Sequence, residues 1–154
     1  MARLSERFNI VYGIKPADAG GAVATLESVH MGRVKRITYL IQFGALTGNA
    51  ALTLKSGATD GVQTTGETFR YRLADAAQGS ATADTFAAWS TSSSLTLTAA
   101  TYANKMLVVE IDSDELTAGQ PWLTGEFSNI TALNLAVAMV AEPRYEANIP
   151  LTII

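Results

Sequence analysis

The sequence has no cysteine, a single histidine and few charged side chains, and each shortage excludes a kind of chemistry. Without cysteine the chain has no disulfide, no thiolate metal site and no thiol nucleophile. His30 alone cannot supply the two or three imidazoles that many hydrolytic and metal sites require. Charged residues are 16% of the chain and hydrophobic residues 48%. That balance excludes a disordered acidic or basic chain and argues against a long coiled coil.

Long hydrophobic runs are also missing. The longest, 130–141, has twelve residues and is interrupted by Asn134, whereas a membrane-spanning helix needs about twenty. The first residues are polar and lack the apolar core of a secretory signal. We therefore expect a soluble protein made in a cytoplasm, with no membrane partner.

Catalytic motifs are lacking too. The sequence contains neither a Gly-x-Ser-x-Gly elbow nor a Gly-x-x-x-x-Gly-Lys phosphate loop. The acidic cluster Asp112–Glu115 does not have the alternating spacing of a calcium loop, and we interpret it as the solvated start of a helical turn. We expect no enzymatic activity, no cofactor and no bound metal.

What the chain does contain is alternation of apolar and polar residues, together with many alanines (25) and threonines (18). Period-two alternation predicts strands, and turn-forming residues separate them. The predicted strands cover 7–13, 22–30, 34–43, 50–55, 67–73, 94–99, 105–111, 121–127 and 131–140, with a weaker one at 84–89. A polar loop is expected at 90–94 and a short helical turn at 113–117. The 154 residues then form one all-β domain, a two-sheet antiparallel sandwich of jelly-roll type.

The predicted strand 131–140 has one face of large side chains and one of small ones. The small face consists of Ala132, Asn134, Ala136 and Ala138. It allows another layer or another subunit to approach closely, or it belongs to a buried central strand.

Charge is unevenly distributed along the chain. Residues 1–36 carry six basic and three acidic groups, whereas residues 105–154 carry two basic and seven acidic groups. One interpretation is an ordinary mixed surface; the other is a basic N-terminal region that docks on an acidic surface of a partner or a neighbouring copy. The net charge of −3 argues against nucleic acid as a partner. In Phe69–Arg72 the rings and the arginines alternate, which favours core and outer face over a base-stacking platform.

Four stretches of the chain are similar to a known family. They are Leu4–Gly13, Ile37–Asn49 with the following Leu52–Leu54, Leu107–Leu116 and Ala141–Glu146. In these stretches the chain resembles small jelly-roll proteins encoded among the head genes of tailed bacteriophages, the head decoration or cement proteins.

The resemblance implies a structural virion protein on the capsid exterior. Such proteins bind an expanded icosahedral shell as dimers or trimers and bridge subunits of the major capsid protein. We expect an N-terminal arm or edge strand, 1–16, and an apolar C-terminal tail, 147–154, to make the contacts with capsid or sister subunit; either segment is alternatively an ordinary part of its own sheet. The candidate contact residues are Arg3, Arg7, Lys15, Ile149, Leu151, Ile153 and Ile154.

The alternative function is a receptor- or carbohydrate-binding β-sandwich of a phage head or tail fibre. Trp89 and Trp122 are the residues that could stack on sugar rings. The competing interpretation is that both tryptophans close the ends of the core.

Overall fold

Alternating side chains build two antiparallel sheets, which pack through their apolar faces. The computed structural model describes residues 3–128, 131–145 and 153–154. Sheet A, in spatial order, consists of β1 (Asn9–Asp18), β12 (Ala132–Pro143), β4 (Val34–Thr47), β10 (Met106–Asp112), β7 (Phe69–Leu73) and β8 (Ser90–Ser92). Sheet A therefore has an edge at β1 and an edge at β8.

Sheet B is built around two long neighbouring strands, β5 (Asn49–Gly57) and β11 (Trp122–Phe127). The short strands β2 (Ala24–Thr25) and β3 (Val29–His30) pair with β11. The strands β6 (Thr65–Glu67) and β9 (Leu95–Thr98) pair with opposite ends of β5. The prediction of an all-β, two-sheet antiparallel sandwich is confirmed.

The strand order is that of a jelly roll. Sheet A contains the succession β1-β12-β4-β10, and sheet B the succession β2/β3-β11-β5-β6/β9. The chain crosses repeatedly between the two sheets, as two interleaved Greek keys require. The β7–β8 hairpin extends sheet A beyond β10.

The inner faces of the two sheets form one hydrophobic core. Ile37, Tyr39 and Ile41 on β4 alternate with outward-facing residues and are fully buried. Beside them in sheet A lie the buried Phe69, Leu107, Val109, Ile111, Val137 and Met139. Buried side chains of sheet B complete the core, among them Leu52, Leu54, Leu123 and Phe127. The alternation seen in the sequence is thus the division between core and outer face.

Short helical segments are more numerous than predicted. The expected turn is present as the 3-10 turn Ser113–Glu115, where the backbone N–H of Asp112 donates to Glu115 Oε2 at 2.8 Å. The structure adds α1 (Leu4–Arg7), α2 (Ala99–Tyr102) and the 3-10 turn Met31–Arg33. Each spans only three or four residues, which is too short to produce a helical periodicity. Among the described residues, no helix is long and apolar enough to cross a membrane.

One strand prediction was wrong, one covers two short strands, and one was displaced along the chain. The segment 84–89 is not a strand, and only an isolated bridge joins Phe86 to Ala74. The strand in this region is β8, which follows 84–89 directly and lies inside the stretch 90–94 that was predicted to be a loop. Its serine-rich composition favours a loop, but pairing with β7 stabilises a strand. The predicted strand 22–30 is two short strands, and the predicted strand 7–13 begins at Asn9 and runs to Asp18.

Candidate interaction surface

The outer face of sheet A carries a row of aligned side chains across five strands. Tyr12 on β1 pairs with Ala138 on β12, which pairs with Leu40 on β4. Leu40 pairs with Val108 on β10, and Val108 with Arg72 on β7. Tyr12 is 78% exposed, while Leu40 and Ala138 are half-buried. The centre of this face is therefore apolar, and a large ring projects from one end.

A second, parallel row lies beside the first. It runs Ile10, Val140, Thr38, Glu110 and Arg70 through the same five strands. Its β1 end is apolar, with Ile10 54% exposed, and its β7 end is charged. We call these two rows together the outer face of sheet A.

The charged groups of this face are paired within the chain. Arg70 Nη2 lies 2.8 Å from Glu110 Oε2, and the hydroxyl of Thr38 donates to Glu110 Oε1 at 3.2 Å. Next to these rows, Arg36 Nη2 lies 3.0 Å from Asp112 Oδ2. Hydrogen bonding to Arg36 lowers the pKa of Asp112, and the same bond raises the pKa of Arg36. A partner therefore meets neutralised pairs at these positions, whereas Arg72 in the first row contacts aromatic rings and is in none of the ion pairs of the described residues.

Aromatic rings and arginines meet at the β7 end of the face. The guanidinium of Arg72 lies 4.9 Å from the ring centre of Phe86 and 4.7 Å from that of Trp89. The guanidinium of Arg70 lies 5.1 Å from the ring of Trp89. These are cation–π distances. They hold Trp89 in place although 41% of it is exposed.

The edge strand β1 is poorly suited to pairing with a further strand. Its register with β12 shifts twice, between Tyr12 and Ile14 and between Ile14 and Ala17. Pro16 lies within it and has no N–H to donate. Bulges and prolines are the means by which proteins prevent edge-to-edge pairing. This edge therefore offers a partner side chains and not a regular backbone ladder.

The predicted basic contact residues lie together in the first part of the chain. Arg3 is the N-cap of α1, Arg7 is its last residue and Lys15 is on β1; all three are exposed. The backbone N–H of Arg3 donates to Glu6 Oε2 at 2.7 Å. The segment 9–16 is part of the protein's own sheet A, as an edge strand and not a free arm.

The C-terminal candidates are placed differently from one another. Ile149 and Leu151 lie outside the described residues. Ile153 is 4% exposed within the core, and its carbonyl accepts the backbone N–H of His30 at 2.8 Å. Ile154 is 52% exposed. A buried Ile153 is held by its own chain and not offered to a partner.

The two tryptophans have unequal surroundings. Trp122 is half-buried on β11 and packs edge-on against His30, with ring centres 4.9 Å apart. Trp89 is the more accessible of the two, although Arg70 and Arg72 lie over its ring. Sequence reasoning did not single out Ile10, Tyr12 or Leu40. Their alternation indicated strands, but which side of the strands faces outward depends on the pairing of both sheets.

Comparisons with known proteins show no family for this chain. No protein-family model matches the chain, and no curated protein matches it. A solved chain from "Structure of infectious bursal disease virus Gx strain" is similar over 95% of this chain and 42% of its own length, with 14% identity and a TM-score of 0.24. This chain thus spans less than half the length of that protein. The strand order by itself defines a jelly-roll β-sandwich protein.

Proposed function

We propose that this protein is a structural virion protein that decorates the outside of a bacteriophage capsid. In this role it binds neighbouring major capsid subunits and stabilises the assembled shell, and it performs no catalysis. Many copies act together, because each bound copy lowers the free energy of the assembled state only. The jelly-roll sandwich and the likeness of four sequence stretches to cement proteins support the proposal.

The single observation that carries capsid binding is the exposed basic segment at the start of the chain. Arg3, Arg7 and Lys15 are exposed on α1 and on the edge strand β1, in a chain whose net charge is −3. Complementary charge accelerates encounter and sets the orientation of a partner. An acidic region of a capsid subunit is the surface that this segment fits.

The test is co-migration with expanded capsids assembled without this protein. We expect binding that saturates at a copy number matched to the lattice, measured by size-exclusion chromatography with light scattering. The double variant Arg7→Glu/Lys15→Glu should weaken binding roughly tenfold, because rim charges control encounter and salt dependence. The control Lys35→Glu/Arg144→Glu changes the net charge equally at exposed positions elsewhere and should bind as wild type.

Two results would contradict the proposal. The first is a wild-type protein that leaves capsids bare at all concentrations, and the second is equal weakening of binding by both double variants. A protein that does not bind capsids but whose tryptophan fluorescence is quenched by glycans would support the alternative function, a receptor- or carbohydrate-binding module. The exposed Trp89 is the observation in favour of that alternative.

A further inference from the structure

We propose that Arg72 binds a carboxylate side chain of a partner protein at the β7 end of the outer face of sheet A. The site consists of the guanidinium of Arg72 and of the rings of Phe86 and Trp89 beside it. Its ligand is a protein segment in which an aspartate or a glutamate is flanked by apolar residues. The proposal goes beyond capsid decoration and does not depend on it.

Arg72 differs from the other arginines of the strands β4, β10 and β7 in having no acidic partner. Arg36 and Arg70 each form an ion pair with an acidic residue of β10. The neighbour of Arg72 in the register on β10 is Val108, which has no charge to offer. Within the part of the chain that the structure describes, Arg72 is in no ion pair. Its counter-charge therefore has to come from outside these residues.

The nitrogen atoms of Arg72 are free to donate hydrogen bonds. Nε is buried and has no hydrogen-bond partner among the described residues. The side chain as a whole is only half-buried, and its two Nη atoms are open to solvent. A partly desolvated cation without an acceptor is unfavourable, and a carboxylate that accepts from both Nη atoms supplies charge and acceptors together.

The aromatic rings fix the orientation of this guanidinium. Its central carbon lies 4.9 Å from the ring centre of Phe86 and 4.7 Å from that of Trp89. Rings contact the faces of a guanidinium and leave its edge available, so that the planar fork can still form a bidentate bond with a carboxylate. Because the fork is held in place before binding, little side-chain entropy is lost when the ligand arrives.

The surroundings of Arg72 favour a protein segment over a sugar or a nucleic acid. Trp89 is 41% exposed, and tryptophan and arginine are enriched among the residues that contribute most to protein interfaces. An acidic sugar would stack on the ring face of Trp89, but Arg70 and Arg72 both lie over that ring. The net charge of −3 disfavours a polyphosphate. The exposed part of the ring is suited to an apolar side chain next to the carboxylate.

An NMR titration of the full chain with the capped peptide acetyl-Leu-Asp-Leu-Glu-Leu-amide tests the site. The chain has two tryptophans, so one indole N–H signal reports on Trp89 and the other on Trp122 of sheet B, an internal control. We expect a saturable shift of the Trp89 signal alone. The uncharged peptide acetyl-Leu-Asn-Leu-Gln-Leu-amide should cause no shift. Equal shifts with both peptides, or no shift with either, would overturn the proposal.

Variants assign the binding to the guanidinium. Arg72→Gln should raise the Kd of the acidic peptide by at least about tenfold, because hydrogen bonds between charged groups are lost. Arg72→Lys keeps the charge but not the planar fork, and it should also bind more weakly than wild type. Arg7→Gln is the matched control, since Arg7 also lies over a ring, that of Phe8 at 5.8 Å, but precedes β1 at the opposite edge of sheet A.

The control Arg7→Gln should bind the acidic peptide as wild type does, and an unchanged Trp122 signal shows that each variant is folded. Equal affinity of Arg72→Gln and Arg7→Gln would overturn the assignment to Arg72.

Other sources of the carboxylate are outcomes of the same titration. An oligosaccharide of glucuronic acid that shifts the Trp89 signal where the acidic peptide does not would overturn the choice of a protein partner. A Trp89 signal that shifts when the protein alone is concentrated would do the same, because the carboxylate would then belong to a second copy.

This proposal and capsid decoration fail in different ways. A wild-type protein that binds the acidic peptide and leaves capsids bare would support the carboxylate site and contradict capsid decoration. A wild-type protein that saturates capsids and does not bind the peptide would contradict the carboxylate site alone.

Discussion

Two buried polar side chains, Glu67 and Tyr39, differ in whether they form hydrogen bonds. Glu67 is only 5% exposed, but its carboxylate accepts the hydroxyl of Ser56 and the backbone N–H of Thr117. The hydroxyl of Tyr39, in contrast, is fully buried and has no hydrogen-bond partner among the described residues. Burial raises the pKa of Tyr39, since the phenolate would be desolvated. The hydrogen bonds of Glu67 offset the cost of burying its carboxylate, whereas the hydroxyl of Tyr39 is buried at a desolvation cost that no hydrogen bond of the described residues offsets.

We expect Tyr39→Phe to increase the free energy of unfolding by about 1 kcal/mol. The substitution keeps the ring, which packs between β10 and β12, and removes a buried hydroxyl that costs roughly 1–3 kcal/mol when unpaired. Urea unfolding followed by fluorescence measures the change, with the exposed Tyr145→Phe as control. A loss of more than 1 kcal/mol would show that the hydroxyl makes a stabilising hydrogen bond.

Individual strands are joined across sheet A by polar pairs as well as by the backbone ladder. Arg36 on β4 and Asp112 on β10 are direct neighbours in the register, and Arg70 on β7 neighbours Glu110 on β10. Opposite charges in such cross-strand positions stabilise the pairing modestly. Strand β10 is therefore connected to both of its neighbours by an ion pair.

The Arg36–Asp112 pair predicts a pH dependence of stability. Because the pKa of Asp112 is lowered in the folded protein, its contribution is present above the unfolded value of about 3.9. It is lost as the pH falls through the folded pKa. Asp112→Asn should therefore cost ~1 kcal/mol near neutral pH and almost nothing in strong acid.

Unfolding of wild type and variant by urea across acidic pH checks this expectation. The control is Asp114→Asn, a carboxylate that is exposed on the adjacent 3-10 turn. A constant difference between wild type and Asp112→Asn at every pH would contradict the assignment of the effect to ionisation of Asp112.

Contacts between segments that lie far apart in the chain hold the whole molecule together. The last two residues return to the first part of the fold, where Ile153 enters the core and bonds to the backbone of His30. Strand β12 pairs with both β1 and β4, which places the end of the chain beside its beginning. Stability thus depends on the C-terminal residues.

Ile153→Ala should reduce the free energy of unfolding by ~2–4 kcal/mol, because it leaves a cavity in the core. Its neighbour Ile154 is 52% exposed, so Ile154→Ala should change stability by less than about 0.5 kcal/mol. Thermal and urea unfolding of the two variants provide the comparison. Equal effects would show that Ile153 is not held in the core in solution, and would favour the interpretation of 147–154 as an intersubunit tail.

The pattern of side chains determined most of the secondary structure before any fold was considered. Ile37, Tyr39 and Ile41 alternate with polar residues, and a strand with one buried face is the conformation that separates them. The strands at 34–43, 105–111, 121–127 and 131–140 were found for this reason. Gly48, with φ of +96°, marks the turn between β4 and β5 that the sequence also indicated.

Only the tertiary structure decided which residues meet on the surface. The row from Tyr12 to Arg72 joins five strands, and its first two members, Tyr12 and Ala138, are 126 positions apart in the chain (138 − 12). The order of these strands results from the packing of two whole sheets. The same long-range pairing made a strand of the serines in β8 and buried Ile153 in the core. The alternation of apolar and polar residues within a strand shows that one of its faces is buried. It does not show which strands pair with it, because strand pairing depends on contacts with segments that are distant in the sequence.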